Sequence, residues 1–202
     1  MHRPTEHKHL SPREIAEFFQ RSGKFVLTFT GYSGSGYEDE DAMLDIAEQV
    51  LNQFDPVDTL VNIGATADGI GAVYVLAKQE GFSTTGIVSS QALLSGASLS
   101  PCVDDVFYVE DDTWGGRLPE SNDLSPTSTV MVAVSHAMIG IGGSVVARDE
   151  LLAAREAGKP VHFFAADMNH QRAIDNAKRA GAPMPNDFGG AAASVQLNVA
   201  AD

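Results

Sequence analysis

The chain predicts an α/β fold: a Rossmann-like, doubly wound, mostly parallel sheet of six or seven strands with helices on both faces. Three observations carry this reading. Short apolar runs alternate with helix-length segments over most of the chain. Several runs, such as Leu60-Val61-Asn62-Ile63 and Val106-Phe107-Tyr108-Val109, show little polar alternation, as strands buried on both faces do. Stretches rich in glycine, serine and threonine follow the runs, where a doubly wound sheet turns into its next helix.

Taken in order, residues 1–10 read as a flexible, solvated tail. It has no apolar signal core, and His2, His7 and His9 lack a Cys or carboxylate at metal-ligand spacing. Ser11-Pro12-Arg13-Glu14 opens a helix, with Ser at the N-cap, Pro at the first helical position and Glu at the third. Gly23 ends it. Residues 25–30 form a strand, 31–36 a Gly/Ser loop and 38–54 an acidic helix with Met43, Ile46, Ala47, Val50 and Leu51 on one side. The unit repeats with a strand at 59–63, a loop at 64–69 and a helix at 70–79. Strands follow at 84–89 and 105–109, then a long loop at 111–128. The apolar run 129–135 reads as a strand, 144–157 as a helix, 161–165 as a strand and 169–180 as a last helix. One domain thus spans 11–180. Residues 181–202 read as a weakly ordered tail in which 194–199 could supply a seventh, edge strand.

Composition narrows the function. A chain of 202 residues, 44% hydrophobic, has material for one substantial core. A net charge of −14 with no basic stripe argues against nucleic-acid binding. The single cysteine, Cys102, excludes an internal disulfide framework and fits a reducing compartment. No segment reaches transmembrane length, so the expectation is a soluble cytoplasmic protein.

In an open α/β sheet, ligands bind beyond the carboxyl ends of the strands. The candidate binding residues therefore follow strand ends: Ser33, Gly34, Ser35 and Gly36; Gly64, Thr66, Asp68 and Gly69; Ser90; and His136, Gly142, Gly143 and Ser144 with Arg148. Glycine allows close backbone approach, hydroxyls add donors, and the Gly142-Gly143-Ser144 turn opens a helix whose start can hold an anion. Each residue also has a structural reading. Asp68 suits a helix cap, Asp149 and Glu150 suit a helix start, Arg148 suits solvent, and His136 suits a hydrogen-bonded structural role. Trp114, in the long loop, suits either stacking on a base or packing as an anchor. The spacing of Gly64-Ala65-Thr66-Ala67-Asp68-Gly69-Ile70-Gly71 is not the dinucleotide fingerprint, no Walker pattern is present, and Gly31-Tyr32-Ser33-Gly34-Ser35 misses a nucleophile elbow by one position.

Together, the Gly/Ser loop at 31–36, the segment Gly64 to Gly71 with a helix running to Gly81, the run Gly86-Ile87-Val88, and Gly142-Gly143 leading to an acidic helix that ends in Gly158-Lys159-Pro160-Val161 resemble the LOG ("lonely guy") and SLOG superfamily. That superfamily of Rossmann-like nucleotide-binding proteins includes members once labelled lysine decarboxylases. It also takes in the DNA-processing protein A fold and molybdenum-cofactor carrier-like proteins. Its enzymes, which cleave nucleoside 5′-monophosphates at the N-glycosidic bond, carry P-G-G-x-G-T-x-x-E. Here Ile141, Val145 and Val146 replace the Pro, the third Gly and the Thr, and Asp149 falls on the catalytic Glu position with Glu150 beside it. The Arg-Lys-x-x-Met segment is missing, and Arg117 is the nearby candidate for its arginine. The resemblance implies a sensor or carrier of a phosphorylated nucleotide. The alternatives are an N-glycosidase using Asp149, Glu150 and Arg117, and a partner-binding protein with a vestigial cleft. It implies no cofactor or metal, a small-molecule partner, no nucleic acid or membrane, and a homodimer or larger assembly.

Overall fold

The computed structural model describes residues 5–197. Seven strands form one sheet: β1 (Glu6–His9), β2 (Phe25–Gly31), β3 (Thr59–Ile63), β4 (Ser83–Ser89), β5 (Asp105–Val109), β6 (Ala137–Ile141) and β7 (Val161–Phe164). Their order is β1-β5-β4-β3-β2-β6-β7, and every neighbouring pair is parallel. The expected α/β Rossmann-like class is the observed one.

Helices cover both faces. On one side α2 (Glu40–Leu51) and α3 (Ala72–Gln79) bury Met43, Ala47, Val50, Leu51, Val73, Tyr74 and Ala77 against the sheet. On the other, α1 (Pro12–Ser22), α5 (Pro126–Val134) and α6 (Val145–Glu156) bury Ile15 and Phe19, Val130 and Met131, and Leu151 and Ala154. The short α4 (Gln91–Ser95) follows β4, α7 (His170–Ala180) follows β7, and a 3-10 turn and α8 (Ser194–Leu197) lie near the C-terminus. The α1 start is the capping box its sequence predicts: the Glu14 amide donates to Ser11 Oγ, and the Ser11 amide donates to the Glu14 carboxylate. No helix among the described residues is long and apolar enough to cross a membrane.

Three expectations are corrected. The run at 129–135 belongs to helix α5, and the strand is Ala137–Ile141 immediately after it. Val130, Met131, Val132 and Val134 are all buried, because α5 is wedged between α1, α6 and the sheet. Its outward stripe, Pro126, Thr129 and Ala133, carries no charge, so the helix lacks the polar face that would distinguish it from a strand. Residues 6–9, read as part of a solvated tail, pair with β5 as an edge strand. Lys8 Nζ bonds Asp105 at 2.6 Å, and the His9 and Tyr108 rings stack. Residues 194–197 are helical rather than a strand, with Val195 buried against α6; Asn198 and Val199 lie outside the described residues.

One buried hydroxyl fixes the loop after β3. Ala65 has a left-handed φ of 59°, and its amide donates to Tyr74 Oη, which in turn donates to the Thr85 carbonyl at 2.8 Å. Removing that hydroxyl leaves a buried donor and a buried acceptor unpaired. Tyr74→Phe is therefore expected to lower stability by about 1–3 kcal/mol, read as a shift in the denaturation midpoint. An unchanged midpoint contradicts this role.

Candidate functional site

β2 and β6 are neighbours in the sheet, although β3, β4 and β5 intervene in the chain. The winding direction reverses between them, which is where open α/β sheets bind ligands. A cleft of about 450 Å³ opens there, beyond the carboxyl ends of β2, β3 and β4 and against the first turns of α5 and α6. Apolar side chains (Phe29, Ile63, Ile87, Met131) and hydroxyls (Thr30, Ser33, Thr66, Ser89, Ser98, Thr127, Ser144) line it. Among the described lining residues there is no Lys, Arg or His, and Glu150 is the one ionisable side chain. Trp114, 55% exposed, also borders it. A larger groove of about 710 Å³ runs along His9, Leu93, Leu94 and Tyr108 near the β1 edge, away from the switch point.

The glycine pair builds the cleft rather than lining it. Gly142 and Gly143 have φ of 55° and 129°; the Tyr32 ring fills the space beside the first and the Ala147 methyl the space beside the second. The Gly142 amide is spent on the Phe164 carbonyl at 2.8 Å. What borders the cleft is the start of α6 itself, through Ser144, Val146 and Ala147, and no side chain caps that helix. The positive end of the α6 dipole therefore meets a pocket of neutral donors.

The two acids of α6 part company. Glu150, 4% exposed, faces the cleft; Ser128 Oγ donates to it at 2.7 Å and Thr30 Oγ1 at 3.3 Å. Burial pushes its carboxyl up to about 7 against those two hydrogen bonds, and neighbouring Asp149 acts in the same direction. Asp149 is 2% exposed and does not line the cleft. Its Oδ2 accepts the Arg117 amide at 2.9 Å and its Oδ1 the Arg148 guanidinium at 2.7 Å, so it ties the loop before α5 to α6.

That loop is pinned elsewhere too. Asp111 accepts from the amides of Thr113 and Thr127. Burial opposes its ionisation, but the bonds from Thr127 and Thr113 outweigh burial and hold its carboxyl below the usual carboxylate range. Thr127 Oγ1 is buried beside this carboxylate yet finds no hydrogen bond of good geometry.

Of the sequence-predicted residues, Ser33, Gly34, Gly64, Thr66, Ser144 and Glu150 meet at the cleft. Others serve the frame around it. Gly36 closes the β2 loop as its amide donates to the Ser33 carbonyl; Ser35 is half-buried in that loop but outside the lining; Gly69, at φ 59°, lies against the Tyr32 carbonyl; and Ser90 holds the Asp111 backbone. Asp68 is exposed at the start of a 3-10 turn without capping it. The Arg117 side chain reaches the Asn122 carbonyl and Glu156, and Arg148 stays on Asp149. His136 is a correction. It precedes β6 instead of following a strand, so it sits at the opposite end of the sheet, where its Nδ1 accepts the Val26 amide and its ring stacks on Phe25.

Sequence reasoning missed Thr30, Thr127, Ser128 and Met131. The signal for three of them was present: Ser125-Pro126 is the same helix-opening pair as Ser11-Pro12, and the Ser128 amide is placed over Ser125 Oγ at 3.4 Å. Among the described residues no group of three or more His, Cys, Asp or Glu is placed to hold a metal ion.

No protein-family description matches the sequence, and no curated protein matches it either. Solved structures do. The X-ray structure of TM1055, a structural-genomics target, matches with a TM-score of 0.51 at 20% identity, over 68% of this chain and 72% of that one. A Moco carrier protein from Chlamydomonas reinhardtii matches with a TM-score of 0.50 at 17% identity, over 88% of this chain and 98% of that one. The chain shares the α/β Rossmann-like fold of these structures. This is the fold its glycine motifs implied, and at these identities the likeness speaks for the fold alone.

Glu150 makes stability depend on pH. Its carboxyl is raised from 4.5 to about 7, so between these values the native state keeps a proton that the unfolded chain has lost. Stability should therefore fall as pH rises through that window, by about 3 kcal/mol at most. Glu150→Gln should flatten this slope, as read from denaturation midpoints at stepped pH. A slope unchanged in the variant contradicts the assignment.

Proposed function

We propose that the protein binds a phosphorylated small molecule, a nucleotide or a close relative, in the switch-point cleft, and that it acts as a sensor or carrier rather than a hydrolase. The observation that carries this is the uncapped start of α6 opening on a hydroxyl-lined cleft that has no cationic side chain among its described residues. An anion there would be held by backbone N–H groups, hydroxyls and the helix dipole instead of by ion pairs. The cleft volume, about 450 Å³, suits a small-molecule ligand. Phe29, Ile63, Ile87 and Met131 supply apolar contact for the rest of the ligand, and Trp114 offers a ring at the border. A neighbour of the same fold is named a Moco carrier protein, which agrees with a binding role. A homodimer or larger assembly, as the resemblance implies, and a cytoplasmic location, as the composition implies, are part of the proposal.

One observation favours a second reading, a nucleoside 5′-monophosphate N-glycosidase. Glu150 is a carboxyl inside the cleft that can carry a proton near neutral pH, as a general acid or base must. In that reading Asp149, the residue that falls on the motif position, only positions the loop through Arg117.

A thermal-shift panel of nucleoside mono-, di- and triphosphates tests the first reading. A ligand at about 100 times its Kd stabilises by about 2.7 kcal/mol, roughly 5–10 °C for a chain of this size. A shift with at least one member, together with no release of base from AMP, is the expected result. No shift with any member contradicts binding, and base release that disappears in Glu150→Gln selects the hydrolase.

A further inference from the structure

The Glu150 carboxyl is connected to the mouth of the cleft by a single hydroxyl. Ser128 Oγ donates to Glu150 Oε1 at 2.7 Å and accepts the Gly116 amide at 2.8 Å. Gly115 and Gly116 have φ of 116° and 83°, conformations that side-chain-bearing residues rarely adopt, and Trp114 precedes them. The space beside Gly115 is taken by Ser128 Oγ and Val146, and that beside Gly116 by Asp149 Oδ2 and Val146. The segment carrying Trp114 is therefore seated on the same two helix starts that frame the cleft.

We propose that Glu150, Ser128 and Gly116 form a proton-operated latch that sets the position of Trp114 at the cleft mouth. With Glu150 ionised, the serine proton is committed to the carboxylate and its lone pair to Gly116, a charge-assisted arrangement that fixes both ends. A proton taken from solvent by Glu150 removes the charge. If it settles on Oε1, the carboxylic acid donates to Ser128 Oγ and frees the serine proton. If it settles on Oε2, the serine is left with a neutral carbonyl acceptor and Thr30 Oγ1 turns from donor to acceptor. Either way the charge-assisted bond that fixes Ser128 Oγ, the acceptor of the Gly116 amide, is lost.

The groups facing Glu150 leave this proton unopposed by a cation. α5 and β2 face it with Ser128 and Thr30, which carry no charge. On α6, Asp149 repels its ionised form. In the loop, Asp111 is turned to Thr113 and Thr127. Arg148 is held on Asp149, and the Arg117 guanidinium reaches the Asn122 carbonyl and Glu156. The latch stands whether or not a nucleotide binds, since it needs only the chain itself.

Trp114 is the only tryptophan in the sequence, so its emission reports the latch directly. The experiment follows Trp114 fluorescence and the Gly116 amide resonance of the ligand-free protein from about pH 5 to 8. Both should change in one transition with a midpoint near the Glu150 value of about 7. In Glu150→Gln the emission transition should vanish. In Ser128→Ala the Glu150 carboxyl resonance should still titrate while the emission stays flat. Emission or a Gly116 amide that does not change in the wild-type protein overturns the latch. So does a transition that persists in Glu150→Gln, or one that still follows Glu150 in Ser128→Ala. The wild-type Gly116 titration decides the matter even if a variant fails to fold.

Discussion

Tyr32 is the point on which the functional end of the molecule is built. Its side chain is 1% exposed, and four loops close on it. The Ile70 amide donates to its carbonyl at 2.7 Å, and its own amide donates to Tyr37 Oη, which donates in turn to the Ile141 carbonyl at 2.7 Å. Its hydroxyl reaches the Ala166 and Phe188 carbonyls, and its ring lies against Gly142 and Gly190. The glycines around it follow from this density. A side chain at Gly31 would overlap Tyr37 Oη, one at Gly69 the Tyr32 carbonyl, and one at Gly142 the Tyr32 ring. Glycine-rich strand ends in this chain thus serve first to bring backbones together around an aromatic hub. The cleft is the space left where those loops diverge again.

That constraint explains the division of labour on α6. With Gly142 and Gly143 committed to packing, α6 starts close to β2 and presents Val146 and Glu150, one turn apart, to the cleft. Asp149, one residue away and so on a different face, is directed to the loop that leads into α5. Two adjacent acids therefore have different jobs. One ties down an amide and an arginine, while the other is the sole ionisable side chain among the described cleft residues.

The fold was legible where local signals were unambiguous. The Ser11-Pro12 start of α1 and the strands at 59–63 and 105–109 coincide with the structure. The site was legible in its glycine and hydroxyl loops, because strand-end position alone identifies them. It was not legible where burial erases pattern. The run Thr129-Val130-Met131-Val132-Ala133-Val134-Ser135 is rich in β-branched residues and has no charge even at its exposed Thr129 and Ala133, so a mostly buried helix reads as a strand. That single exchange placed His136 at the wrong end of the sheet and hid Thr127 and Met131, which line the cleft, and Ser128, which bonds its Glu150. β1 escaped notice because an edge strand of sequence Glu6-His7-Lys8-His9 carries no apolar signal; it is held by Phe18, Phe107 and Tyr108, far away in sequence. Motif counting from the glycine pair chose Asp149 over Glu150 because a sequence position does not say which side of a helix faces the cleft.

The central claim is that an anionic group is received at the start of α6. Amide chemical-shift mapping with a nucleoside 5′-monophosphate tests it most directly, because it reads the proposed donors themselves. The account predicts the largest shifts at Ser144, Val145, Val146 and Ala147, with accompanying shifts at Ser33 and Gly34. Shifts confined to the groove along His9, Leu93 and Leu94, or no shifts at saturating ligand, would contradict it.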